Sequence, residues 1–486
     1  MITKTPIIFE QSRTGKTGVK IPTCDVTKSE FQNYISSSFI RENKANLPEV
    51  SEPEVVRHYT NLSVKNHHVD RDLYPLGSCT MKYNPKINDV IASLPGFANI
   101  HPDQPLESVQ GALQLIWELE QMLIEITGMS RVTLQPTAGA QGEFVGILIM
   151  KKFHEINGNL NKEYILIPET AHGTNPASVI FGGYKTKQIK SDERGRVDIE
   201  DLKSKLDKNV AGMMLTQPNT LGLFEDNIEE ITSLVHSFGG LMYMDGANLN
   251  ALVGLTRPAD MGFDITHINL HKTFSTPHGG GGPGAGPIAV TEKLAEYLPV
   301  PMIKRNNNQF SWDYDMPKSV GQIHSYYGNF SILVRAWAYI KTMGESGLRE
   351  MTEMAIVNAN YIKAKLNDNY IIPFSEGTLH EFVISGIKQK EKGAKTLDIA
   401  KALLDKGFHA PTIYFPINVP KSMMIEPTET ESKETLDRFI DAMIDIDDKI
   451  TLNPNEILNA PFNTPVSRLD ETKANRNPDL RWKNEV

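Results

Sequence analysis

Between residues 164 and 244, short runs that are apolar at every position alternate with stretches of helical spacing. The runs are Tyr164-Ile165-Leu166-Ile167, Met213-Met214-Leu215 and Leu241-Met242-Tyr243-Met244, separated by Pro176 to Phe181 and by Ile228 to Phe238. A strand with one face in water alternates apolar and polar side chains, so strands apolar throughout need cover on both faces, which the intervening helices supply. The alternation predicts an α/β unit built on a mostly parallel sheet, which receives ligands at the carboxyl ends of its strands. An amphipathic helix precedes it: Leu106, Val109, Leu113, Ile116, Leu119, Leu123 and Ile126 recur at three and four residues, and Gly128 follows as a stop.

Up to about Pro95 the chain is rich in Pro, Asn and Ser without sustained periodicity, which predicts an extended arm over 1–95. The sheet unit is expected over 96–335. After a helix around Ser331 to Met343 the content shifts to a smaller α+β unit over 336–457, with helical stretches at Leu397 to Lys406 and Glu434 to Ile444; an Asn- and Pro-rich tail follows over 458–486. At 486 residues the chain is too long for a single core.

The net charge of -9 offers no basic surface, so neither nucleic acid nor an anionic membrane is an expected partner. The richest apolar run, Phe144 to Met150, is too short to span a bilayer, and Met1 to Glu10 lacks a charged start followed by an apolar core. A cytoplasmic protein is expected. The two cysteines, Cys24 and Cys79, have no CxxC spacing, which favours free thiols over a disulfide or a cysteine zinc site.

Four segments carry chemistry. In His267-Ile268-Asn269-Leu270-His271-Lys272-Thr273-Phe274 a lysine stands at the expected end of a buried strand, and the glycine-rich run Gly279 to Gly286 follows closely. A buried amine needs a partner, and a Schiff base to an aldehyde cofactor removes the problem. A snorkelling surface lysine explains the amine but not the glycines, which permit close backbone approach to a ligand. A nucleotide loop does not fit: the only Gly-Lys-Thr is Gly15-Lys16-Thr17, and Glu10 stands where the motif needs its first glycine. His267 and His271 are four apart on what is expected to be a strand, where that spacing makes no compact chelate, and no metal is expected.

The second segment, Leu134-Gln135-Pro136-Thr137-Ala138-Gly139-Ala140-Gln141-Gly142-Glu143, leads into a helical stretch from Phe144 to Lys152, and small residues at a helix start suit a phosphate. The third, Met244-Asp245-Gly246-Ala247-Asn248, puts an aspartate after an apolar strand, where it can hold a protonated pyridine nitrogen. The fourth, Glu169-Thr170-Ala171-His172-Gly173-Thr174-Asn175-Pro176, offers an imidazole to stack on a cofactor ring. Singly, these read equally as a capped helix, a turn and a capping loop. Their order along the chain is what a parallel sheet needs to surround one aromatic cofactor.

The chain resembles the glycine decarboxylase P-protein family of the glycine cleavage system, in the form of subunit 2 of its two-subunit bacterial and archaeal type. The likeness is carried by Leu76-Gly77-Ser78-Cys79-Thr80-Met81-Lys82-Tyr83-Asn84, Gln135 to Glu143, His172 to Ser178, Asn269 to Phe274, the glycine run and Gly407-Phe408-His409-Ala410-Pro411-Thr412. The resemblance implies the aspartate-aminotransferase-like fold, fold type I of the pyridoxal-phosphate (PLP) enzymes. It implies Lys272 as the Schiff-base lysine, His172 over the ring, Asp245 at the pyridine nitrogen, and Ala138, Gly139 and Ala140 near the phosphate. Thr220, Ala247, Asn248 and His271 are expected in the same cofactor site, and the loop from Ser78 to Asn84 near the substrate. It also implies a subunit 1 in an α2β2 assembly and a lipoylated H-protein that takes the aminomethyl group of glycine. The chain departs from the family pattern at Thr137 and Gln141, where relatives carry alanine and histidine. Other readings of the same residues are a PLP decarboxylase of a larger amino acid and a non-catalytic subunit that keeps the fold.

Overall fold

The computed structural model describes residues 5–43, 45–278 and 284–481. The chain packs as two units, Met1–His68 with Pro461–Val486, and Val69–Ala460. In the first, the helix Glu52–Ser63 is started by a capping box in which the Ser51 N–H donates to Glu54 Oε2 at 2.9 Å. No helix among the described residues is long and apolar enough to cross a membrane.

The second unit is built on a seven-stranded sheet: β1 (Arg131–Thr133), β2 (Tyr164–Pro168), β3 (Lys185–Ile189), β4 (Val210–Thr216), β5 (Leu241–Gly246), β6 (Ile265–Ile268) and β7 (Ile288–Val290), in the order β1-β7-β6-β5-β4-β2-β3. β7 pairs antiparallel with both its neighbours, and the other pairings are parallel. The apolar runs are explained by period two. On β4, Met213 and Leu215 enter one core and Met214 the other; on β5, Met242 and Met244 oppose Leu241 and Tyr243. Leu119 and Leu123 of helix Gln110–Thr127 belong to the first core, and Val145, Ile147 and Ile149 of helix Gly139–Ile156 to the second. β3 has no apolar run to announce it, because it is an edge strand with Lys185 exposed and one neighbour only.

β6 stops earlier than its sequence suggests. Ile268 N–H still donates to the Pro287 carbonyl, but Pro287 has no N–H to return, and beyond it only Leu270 N–H reaches across, to the Ala285 carbonyl at 3.2 Å. Leu270–Thr273 then forms one helical turn, with Asn269 O accepting from Lys272 N at 3.0 Å. Lys272 and His271 therefore sit on a turn past the strand end, not on the strand.

The hairpin β8 (Met302–Asn306) and β9 (Gln309–Asp313) leads to the helix Phe330–Leu366, broken at Gly344 by a left-handed φ of 61°. A three-stranded antiparallel sheet follows: β10 (Phe382–Ser385), β11 (Thr412–Ile413) and β12 (Ser422–Ile425), in the order β10-β12-β11. Phe382, Ile384, Met423 and Ile425 pack with Phe439 and Met443 of helix Lys433–Leu452. Val383 and Met424, on the opposite face, pack on Leu221 and Leu223 from the loop after β4, which brings the small sheet to the carboxyl end of the large one.

Candidate active site

Strand register sets three side chains in a row. Thr216 pairs with Asp245, and Asp245 with His267, at the ends of β4, β5 and β6. In-register neighbours point the same way, so the three share the face that carries helix Gly139–Ile156.

Asp245 is 2 % exposed and well supplied with donors. Asn175 Nδ2 donates to Oδ2 at 2.9 Å, Ala247 N–H to Oδ1 at 3.0 Å, and His267 Nε2 lies 3.3 Å from Oδ1. Burial opposes the charge, but His267 and the two amides outweigh it and hold the carboxyl below its usual range, so Asp245 is ionised at neutral pH. The Tyr243 hydroxyl is 2.8 Å from His267 Nδ1, and burial pushes its ionisation far up, so it donates. His267 Nε2 faces Asp245.

Lys272, 9 % exposed, donates from Nζ to the Ser78 carbonyl at 2.9 Å. A cavity of about 210 Å³ opens beside it, walled by Ser78, Glu143, Thr174, Thr216, His267 and Asn269 together with Gly139, Ala140, His172, Thr220, Asp245, Ala247, Asn248, His271 and Lys272. Of the residues expected in the cofactor site all except Ala138 are on that wall, and of the loop from Ser78 to Asn84 only Ser78 is. Ala138 is the N-cap of helix Gly139–Ile156, with its carbonyl accepting from Gly142 N–H at 3.0 Å. His172 is at the exposed lip, its Nδ1 2.8 Å from Thr174 Oγ1 and its ring edge-on to Phe415 at 5.7 Å. Thr220 donates its hydroxyl to the Thr170 carbonyl. Burial, then His278 and Lys272, push His271 down to about 3, so it stays neutral. Gly279 to Pro283 of the glycine run lie outside the described residues.

The wall fits pyridoxal phosphate. A buried carboxylate with spare lone pairs suits a ring N–H, an amine is at hand for the aldehyde, and the first-turn amides of helix Gly139–Ile156 suit a phosphate. Thr216 Oγ1, Asn248 Oδ1 and Asn269 Oδ1 are buried without a hydrogen-bond partner, which marks polar groups in want of a ligand. The phosphate end is shaped by close backbone approach: a Cβ on Gly286 would lie 2.2 Å from the Ala138 carbonyl oxygen. Gly286→Ala is expected to push the Ala138–Gly139 backbone aside and weaken cofactor binding roughly ten- to a hundredfold, the equivalent of about 1–3 kcal/mol of overpacking. Titration of the cofactor-free variant with pyridoxal phosphate measures this.

Thr216, His267, Asn269, Asn175 and Glu143 were not singled out from sequence as site residues. Thr174 Oγ1 and Ser178 Oγ donate to Glu143 at 2.8 and 3.0 Å, which ties the His172 loop to helix Gly139–Ile156. The only signal for Thr216 and His267 is that each stands at the end of an apolar strand.

Comparison with known proteins agrees with this geometry. The glycine cleavage system P-protein family matches residues 25–309, and the glycine dehydrogenase C-terminal domain matches 351–463. The chain is 55% identical over 481 residues to the protein named "Probable glycine dehydrogenase (decarboxylating) subunit 2" of Chloroherpeton thalassium, covering 98% of this chain and 97% of that one. It is 54% identical to the protein of the same name from Staphylococcus aureus, with 99% and 98% covered. Among solved structures, glycine decarboxylase (P-protein) of the glycine cleavage system, in inhibitor-bound form, superposes with a TM-score of 0.73 at 19% identity, covering 85% of this chain and 94% of that one. Glutamate decarboxylase of Lactobacillus brevis does so with a TM-score of 0.66 at 12% identity, covering 86% and 97%. These last two likenesses are of fold, fold type I of the PLP enzymes.

Proposed function

Because this chain belongs to the glycine cleavage system P-protein family, we propose that it decarboxylates glycine with pyridoxal phosphate and that Lys272, Asp245 and His172 carry the reaction. The observation that bears most weight is the convergence of a buried amine and a buried, ionised carboxylate on one cavity at the carboxyl end of the sheet. When bound, pyridoxal phosphate supplies an aldehyde that joins to amines and an electron-poor ring that takes up the electron pair left on the substrate carbon as carbon dioxide departs.

The protein's part is holding, orienting and moving protons. Asp245 keeps a proton on the ring nitrogen, and His267, held by Tyr243, keeps Asp245 in place. The amides at the start of helix Gly139–Ile156 would receive the phosphate, and His172 at the lip of the cavity would cover the ring. Lys272 provides the reacting amine and carries protons at Nζ, with the Ser78 carbonyl fixing its direction. The buried walls exclude water from the reacting carbon.

Relatives named as subunit 2 imply a partner subunit 1. An α2β2 assembly acting in the cytoplasm, with a lipoyl-bearing H-protein as the acceptor of the aminomethyl group, completes the proposal. The test is carbon dioxide exchange by the purified chain with subunit 1 and lipoylated H-protein. Exchange is expected with glycine and not with glutamate or aromatic amino acids. Exchange with those and none with glycine overturns the substrate assignment, and a colourless protein that takes up no cofactor supports a non-catalytic subunit instead.

A further inference from the structure

The carbonyl that receives Lys272 belongs to the segment Gly77–Thr80, which is held by the small sheet. Gly77 N–H donates to the Met424 carbonyl at 3.2 Å, and Thr412 Oγ1 donates to the Gly77 carbonyl at 2.7 Å. Ser78 adopts a φ of 60°, a conformation that an L-residue keeps only where its surroundings enforce it.

Two carboxyls enforce it. Glu381 accepts the Ser78 N–H at Oε2, 2.6 Å away, and Asn248 Nδ2 at Oε1, 3.2 Å away. Glu426 accepts the Thr80 hydroxyl at 2.5 Å and Asn250 Nδ2 at 3.3 Å, both on Oε1, while its buried Oε2 has no hydrogen-bond partner. The two are brought together by antiparallel pairing: Phe382 stands opposite Ile425, and Glu381 lies just before β10 and Glu426 just after β12. They are 0% and 1% exposed, and an oxygen of one lies within 4.8 Å of an oxygen of the other.

The charges around the pair are few. Lys272 acts on both glutamates, and it also faces Asp245. Glu429 acts on Glu426 but is itself paired with Lys82 at 2.7 Å. His380 is neutral, since burial and then Lys272 push it down to about 3; burial and Lys272 likewise leave His278 neutral at about 4, and burial keeps the Cys79 thiol protonated. One ammonium, already shared with Asp245, does not offset two further carboxylates side by side in a dry interior. Burial raises Glu381 well above the ordinary carboxyl range and Glu426 to about 7.

We propose that Glu381 and Glu426 hold one proton between them, keep a single negative charge near Lys272, and act as positioning residues that set both the Ser78 carbonyl and the charge of the Lys272 amine. The inference rests on Lys272 being the reacting amine. Its test is a double-mutant cycle on the full-length, cofactor-free protein, with trinitrobenzenesulfonate labelling of Lys272 followed across pH by peptide mass. In Glu426→Gln the new amide nitrogen takes the place of the unpartnered Oε2; in Glu381→Gln the unpartnered Asn248 Oδ1 can turn to accept the new donor. Either single change removes the shared proton and leaves the other carboxyl ionised, so the labelling midpoint is expected to stay nearly unchanged. The double change removes the charge and is expected to lower the midpoint by about one pH unit, with roughly tenfold faster labelling at neutral pH.

Equal, additive shifts from the two single changes mean that both groups are ionised and overturn the proposal; no shift in the double variant overturns it too. A second measurement needs no variant: the native protein is expected to show the infrared carbonyl stretch of a buried protonated carboxyl at neutral pH, and its absence sinks the idea. Cofactor trapped on another lysine refutes the assignment of Lys272 as the reacting amine but leaves the predicted non-additivity in place, so the two failures are distinguishable.

Discussion

Lys272→Ala is expected to abolish glycine-dependent carbon dioxide exchange, a loss on the order of a thousandfold or more, while leaving the fold intact. Among the described residues of the cavity wall, Lys272 alone carries a primary amine, the group that condenses with an aldehyde to an imine; the other side chains there offer hydroxyls, carboxyls, amides and imidazoles. Its one hydrogen bond is to the Ser78 carbonyl, so truncation leaves a single acceptor unpaired, a cost of about 1–3 kcal/mol, partly offset by removal of a buried cation. The measurement pairs exchange with cofactor spectroscopy: wild type should show the visible absorption of cofactor bound through a lysine, with borohydride fixing the label to Lys272, and the variant should show neither. Retention of the absorption and of glycine-dependent exchange in the variant removes the assignment.

Asp245→Asn is expected to have the second largest effect, lowering exchange by roughly 10²- to 10⁴-fold, the equivalent of about 3–5 kcal/mol for one partner of a buried charged pair. Asn175 Nδ2, the Ala247 N–H and His267 Nε2 all converge on the carboxylate, and an amide offers one oxygen where they find two. Its NH2 then faces a donor, and no charge remains to hold a proton on the ring nitrogen. The pH dependence has a definite sign. The folded-state pKa of Asp245 is depressed, so its contribution is present above the ordinary carboxyl range and is lost only as pH falls below about 4. Cofactor retention by wild type should therefore stay level with respect to this group between about pH 5 and 8. A loss of cofactor centred in that interval and absent from Asp245→Asn contradicts the assignment.

Much of the site could be read in the chain because its parts are local. Asp245 is the next-to-last residue of an apolar strand, Gly139 and Ala140 start a helix, and Lys272 follows β6 within four residues, so pattern and punctuation point to each. The short turn Leu270–Thr273 was hidden because the end of β6 depends on Pro287, nineteen residues after Ile268 and just before β7. β3 was hidden because an edge strand with one neighbour needs no continuous apolar run.

What the linear order of residues determined was element type and the succession of chemical groups: periodicity is a property of neighbours three, four or two positions apart, and it survives without knowledge of the rest of the chain. What the tertiary structure alone decided was which distant groups stand together. Register across β4, β5 and β6 aligns Thr216, Asp245 and His267, and the pairing of β10 with β12 brings Glu381 to Glu426 and both to the segment that receives Lys272. Such juxtapositions come from hydrogen-bond ladders and packing between segments far apart in the chain, 346 residues in the case of Thr80 and Glu426, and no local pattern encodes them.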